Sequence, residues 1–121
     1  MESKSFLTSI FFLPLSDRPK KFPLLKFIKG KFWHTGIIYK DKVYETFNHN
    51  KWKISDLSRL NDPEFKNAIY LDYSINTKKL VSELKSRTDC AEYVARVSEL
   101  SNRNGSNKGN LWPEDVYNLM K

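Results

Sequence analysis

The sequence predicts an α+β fold in which an antiparallel β-sheet packs on helices, and three observations lead there. Apolar, β-rich runs with period-two alternation occupy the first half, over Ser5–Leu13, Phe32–Phe47 and Asn67–Tyr73. Apolar positions at helical spacing follow from residue 76 onward. The resulting order of strand, hairpin, strand, helix, helix places sequential strands side by side, without the alternating helices of a parallel sheet.

The first strand is expected over Ser5–Leu13 and ends at Pro14, with Ser16-Asp17-Arg18-Pro19 as the closing turn. Lys4 followed by Phe6–Leu13 resembles the start of a signal peptide, but no small-residue cleavage site follows, and the run is too short to span a bilayer. Arg18–Pro23 reads as a basic, proline-broken loop, and Leu24–Lys29 as a short helix capped by Gly30.

Phe32–Phe47 reads as a hairpin turning at Lys40-Asp41. That register sets Ile38 opposite Val43, Gly36 opposite Glu45 and His34 opposite Phe47, all on one side of the sheet. His34 and Glu45 then lie diagonally across from one another, with Gly36 letting another element approach. A loop centred on Asp41-Lys42 keeps both on one face at greater separation.

Asn48–Lys53 is polar and reads as a loop. Ser55–Leu60 is a single helical turn capped by Ser55 and closed by Pro63, and Asn67–Tyr73 is a further strand. Asn76 caps a helix running to about Arg87, with Leu80, Val81 and Leu84 as a narrow apolar stripe. Next, Thr88 or Asp89 caps a helix whose Tyr93, Val94, Val97 and Leu100 face the core, leaving Glu92, Arg96 and Glu99 outside. Residues 101–110 form a polar loop, and Leu111–Met120 is a last helix with Pro113 at its first position.

The chain of 121 residues is read as a single domain spanning residues 1–121, with one core. Hydrophobic residues at 40% and aromatics at 14% exclude general disorder. A single cysteine excludes a disulfide framework, and with two histidines it argues against structural zinc; no glycine-rich phosphate loop is present, so no cofactor is implied. The expected compartment is reducing, hence cytoplasmic. The net charge of +7 lies wholly in the first half: residues 1–53 carry 11 Lys/Arg against 4 Asp/Glu, residues 54–121 carry 10 against 10. Such a surface suits an anionic partner, or simply keeps a small protein in solution.

The chemistry centres on Cys90, placed in the first turn of its helix. Unpaired N–H groups and the positive end of the helix dipole favour a thiolate there and can donate to an oxyanion. Against this stands the reading of a lone cysteine as a small buried apolar residue. His34 is the candidate base and Glu45 the acid that orients it, the alternatives being a core histidine bonded to a carbonyl and an ordinary strand carboxylate. His49 is the fallback third group. Asp89 reads as a cap rather than a catalytic acid, and Tyr93 and Trp112 read as core rather than substrate contacts.

His34-Thr35-Gly36-Ile37, then Val43-Tyr44-Glu45, then Asp89-Cys90-Ala91-Glu92-Tyr93-Val94, and a closing Trp112–Val116, resemble the plan of circularly permuted papain-fold proteins, relatives of NlpC-type peptidases and lecithin-retinol-acyltransferase-like enzymes. The Lys40-Asp41-Lys42 turn departs from the glycine-bearing turn usual there, and the stretch before His34 is short and lysine-rich. The resemblance implies a small thiol hydrolase with a Cys90–His34–Glu45 catalytic set and a thioester acyl-enzyme. Its implied substrate is an amide, such as a cell-wall peptide, or alternatively an ester or acyl-thioester of a lipid. For the ester branch, Lys20–Trp33 would suit an anionic headgroup. The rival class is a non-catalytic basic module binding nucleic acid or a protein, with Phe22, Phe27, Phe32 and Trp33 among its lysines as stacking groups.

Overall fold

A computed structural model describes residues 5–18, 30–47, 51–86, 89–100 and 111–121, with side chains given from Thr8 onward. Five strands form one antiparallel sheet: β1 (Ser5–Pro14), β2 (Phe32–Tyr39), β3 (Lys42–Thr46), β4 (Trp52–Asp56) and β5 (Ile69–Asn76), in the spatial order β4-β3-β2-β1-β5. Among the described residues three α-helices follow, α1 (Lys79–Ser82), α2 (Cys90–Val97) and α3 (Pro113–Met120). The α+β class and the antiparallel sheet are those expected from the sequence.

The hairpin register is also the expected one, with Tyr39 paired to Lys42 and Ile38 to Val43 around the Lys40-Asp41 turn. Lys40 takes φ of 47°, the left-handed conformation that a tight hairpin turn demands and that glycine or asparagine would adopt with less strain.

The two faces of the sheet are buried differently. Ile10, Phe12, Phe32, Ile37 and Ile75 pack under the helices, against Leu80, Leu84, Tyr93, Val94, Val97 and Val116. On the reverse face, Phe11, Leu13, Trp33 and Val43 pack with Phe65 and, at the margin, Leu15, Ile38, Leu60 and Ala68. The α-helices lie on one face, as expected. The second core is closed by two 3-10 turns, Leu57–Asn61 and Pro63–Phe65.

Simple alternation fails at one place in β2. Leu13 pairs with His34 but Pro14 pairs with Phe32, so Trp33 is an extra residue in the ladder. Such a bulge re-aims side chains. Phe32 joins the helix-side core while Trp33 and His34 stack on each other, ring centroids 5.0 Å apart.

Several boundaries differ from expectation. Trp52 and Lys53, expected in a loop, enter β4, an edge strand whose Tyr44↔Ile54 and Thr46↔Trp52 pairs extend the hairpin. The polar composition that suggested a loop is the charged, lysine-bearing composition common on sheet edges. The turn after β4 is capped by Asp56, whose carboxylate accepts from the Ser58 N–H at 3.0 Å, and not by Ser55. Pro63 opens the next 3-10 turn instead of closing this one. Asn76 ends β5, and the long helix expected after it is one α turn followed by a 3-10 turn over Glu83–Lys85. With only Leu80 and Leu84 buried, the stripe is too narrow to hold a longer helix.

Helix α2 stops at Val97 because Glu99, at φ 63°, turns the chain and lets Leu100 N–H reach Ala95 O at 2.7 Å. Glu92, expected outside, is buried and bonded to Arg96 Nε at 2.8 Å. In α3, Pro113 occupies the first position and Asp115 accepts from the Trp112 N–H. The short helix expected over Leu24–Lys29 and the loop over residues 101–110 lie outside the described residues. Gly30 does take a left-handed φ of 95°.

Candidate functional site

His34 follows the regular alternation of β2, on the face of Gly36 and Ile38 and opposite Leu13 of β1, and it is buried, 2% exposed, on the reverse face of the sheet. The Phe47 ring stacks on the imidazole at 4.9 Å and 12°, Trp33 at 5.0 Å and 25°, and the edge of Phe11 lies at 5.8 Å. Aromatic faces beside a charged ring favour its cationic form.

Gly36 makes this packing possible. A Cβ there would stand 2.5 Å from Phe11 Cζ and 2.9 Å from the Tyr44 carbonyl oxygen. The expected close approach is therefore that of Phe11 on β1, the strand paired with Gly36.

Glu45, fully buried on β3, accepts from His34 Nε2 at 2.8 Å, so the diagonal pair read from the hairpin register is a direct contact. The paired ladder between β2 and β3 ends at Ile37↔Tyr44, and beyond it the two strands are linked through this side-chain bond. The Cys90 thiol, half-buried at the start of α2, lies beside the same imidazole, close enough to raise its basicity. Since Nε2 is committed to Glu45, Nδ1 is the ring nitrogen left for the sulfur. The three residues singled out from the sequence, far apart in the chain, are brought together.

Burial by itself would make His34 less basic. The hydrogen bonds with Cys90 and to Glu45, and the charges of both, outweigh it and raise its pKa to about 9. Burial likewise opposes the charge on Glu45, yet the hydrogen bonds from Arg59 and His34 lower its pKa to about 2.

Arg59 is the member that sequence reasoning missed. It lies in the 3-10 turn after β4 and is buried, with Nε on Glu45 Oε2 and Nη2 on Glu45 Oε1, each at 2.8 Å. Its remaining nitrogen, Nη1, is held by Asp62 at 2.7 Å and Glu64 at 2.8 Å, and the guanidinium lies 4.8 Å from the centre of the Phe65 ring. The one available signal was an arginine between apolar Leu57 and Leu60, followed by two acids three and five residues on.

The N-terminus of α2 is organised around Asp89. Its carboxylate accepts from the backbone N–H groups of Glu92, at 2.9 Å, and Ala91, and its pKa is raised by burial despite those bonds. The cap expected of Asp89 is thus present; Thr88 lies outside the described residues. Cys90 is the first residue of α2, a position whose backbone N–H has no partner within the helix itself, on the residue that carries the thiol.

Tyr93 is core, with its hydroxyl donating to Leu80 O at 2.7 Å. Trp112 is half-buried at the start of α3. His49 lies outside the described residues. Phe32 and Trp33 are 3% and 7% exposed, so neither is available to stack on a nucleic-acid base. Among the described residues no group of three or more His, Cys, Asp and Glu is arranged to hold a metal ion, and no helix is long and apolar enough to cross a membrane.

Comparison with protein-family models, with curated protein sequences and with solved structures returned no match to this chain.

Proposed function

We propose that the protein is a small thiol hydrolase of permuted papain-like architecture, acting on an amide bond with Cys90 as nucleophile, His34 as proton carrier and Glu45 as its orienting acid. The observation that carries this reading is one buried imidazole hydrogen-bonded to a carboxylate and raised in basicity by the neighbouring thiol. The chain order of His34, Glu45 and Cys90, on hairpin and then helix, supports the permuted arrangement that the motifs resemble.

The chemistry follows from the contacts. Proton transfer from sulfur to imidazole gives a thiolate–imidazolium pair, and Glu45 stabilises the cation without accepting its proton. The thiolate forms a C–S bond to the substrate carbonyl carbon, and the carbonyl π electrons move to oxygen. That oxyanion meets the Cys90 N–H at the positive end of α2. As the oxyanion collapses and the C–N bond breaks, the imidazolium gives its proton to the departing amine. Water then attacks the thioester while the now neutral imidazole takes its proton, and expulsion of the thiolate restores the starting pair.

The test is alkylation of Cys90 by iodoacetamide in wild type and His34→Ala at pH 6.5, both folded by circular dichroism. An activated thiol reacts at least ten-fold faster in wild type. Equal rates would leave Cys90 an ordinary thiol and end the proposal.

A further inference from the structure

The reactive set described so far ends at Glu45, but the buried polar chain does not. Glu45 is engaged from two elements, by His34 from β2 and by Arg59 from the 3-10 turn after β4, while Lys53, its register partner on β4, is exposed. Both carboxylate oxygens receive a nitrogen of the same guanidinium, and Oε1 receives His34 Nε2 as well. Such a fork fixes the plane of a carboxylate, whereas a single ammonium donor leaves it free to rotate.

Arg59 is fixed in its turn. Asp62 and Glu64 hold Nη1 from the two ends of a short connection, and the Phe65 ring lies beside the guanidinium. The turn over residues 57–65 therefore presents one rigid donor fork to a carboxylate on β3, and that carboxylate sets the rotation of an imidazole on β2.

We infer that Arg59 is a positioning residue of the site: clamped by Asp62 and Glu64, it holds Glu45 ionised and in one orientation, and through Glu45 it fixes the His34 ring against Cys90. This rests on the thiol-hydrolase reading, in which the ring orientation matters for the sulfur. Arg59 itself is placed one residue too far along the chain of contacts to meet the thiol. A purely structural arginine would contribute to folding while leaving the chemistry of the folded protein alone.

The experiment uses the full chain with Arg59→Gln, which removes the cation, and Arg59→Lys, which keeps the charge and loses the fork. Two quantities are read on folded protein only: the 13C titration of the Glu45 carboxyl and the rate of Cys90 alkylation by iodoacetamide at pH 6.5. In Arg59→Gln the carboxyl is expected to titrate at least one pH unit higher than in wild type, and alkylation to slow at least five-fold. Arg59→Lys should retain the ionised carboxyl at pH 6.5 and still alkylate two- to three-fold more slowly than wild type, because rotation of the carboxylate is restored. Alkylation at the wild-type rate in folded Arg59→Lys and Arg59→Gln would overturn the positioning role. Should Arg59→Gln fail to fold, Arg59→Lys decides alone: slowed alkylation supports the role and the wild-type rate overturns it. Failure of the hydrolase reading is seen separately, as equal alkylation of wild type and His34→Ala; in that event the carboxyl titration still tests whether Arg59 governs Glu45.

Discussion

The titration of His34 makes a stability prediction that needs no substrate. In the unfolded chain its imidazole titrates near 6.5, and in the native site near 9. A group whose pKa rises on folding binds its proton more tightly in the native state, so its contribution is complete below about 6.5 and disappears as the pH climbs through 9. Only the part of the displacement owed to Glu45 is proton uptake on folding, because a proton that passes from the Cys90 thiol to the ring is not taken from solvent; the pH-dependent contribution therefore stays below the about 3 kcal/mol that the full displacement would carry at about 1.4 kcal/mol for each pH unit. The His34–Glu45 attraction enters both titrations and is counted once, on the histidine.

The measurement is urea unfolding at intervals from pH 6 to 9.5 in wild type, His34→Gln and Cys90→Ala, read as unfolding free energy at constant m value. Wild type should lose stability across this range, by less than about 3 kcal/mol, most of it above pH 7. His34→Gln, whatever its absolute stability, should lack this component. Cys90→Ala should retain a loss, the share owed to Glu45 alone, with no thiol left to supply the ring's proton. A wild-type profile flat from pH 6.5 to 9.5, or a decline of equal size in His34→Gln, would refute the assignment of a buried imidazolium held by Glu45 and Cys90.

Two further substitutions test how the site is supported. Gly36→Ala should destabilise by about 1–3 kcal/mol in urea unfolding, since its methyl would meet the fully buried Phe11 ring and a backbone carbonyl, neither of which can swing aside. Lys40→Gly should raise stability by about 1 kcal/mol in the same assay, because glycine adopts the positive φ of the hairpin turn without the strain of a side chain.

What the sequence reveals about this fold depends on how local the signal is. The hairpin register follows from parity and loop length, both local, so His34 and Glu45 could be placed on one face and diagonal to each other. Asp89 could be placed as a cap because the helix after it is strongly amphipathic. The bulge at Trp33 has no local signal: Trp33 is apolar like its neighbours, and only the mismatch with Leu13-Pro14 on β1 makes it the extra residue. Edge strand β4 was hidden by Lys53 and by Lys51 just before it, residues that suit an edge and a loop equally. Arg59 was hidden because its partner Glu45 lies fourteen residues upstream, and a buried ion pair leaves no periodicity.

The energetic character of this chain of contacts bears on why it exists. A buried ion pair is weak as a source of stability: removing one partner is costly, but replacing both with apolar residues of similar volume is often neutral or favourable. The reverse-face core around the pair, with Phe11, Leu13, Trp33, Val43 and Phe65, is already apolar and could be completed by leucine and methionine. Placing an arginine, a glutamate and a histidine there instead, bonded in line and ending at the only thiol of the protein, gains little for folding. It does give the imidazole a fixed orientation, a fixed tautomer when neutral and a stabilised cation. Those properties have no use in a core histidine, and each has one in a histidine that exchanges a proton with sulfur.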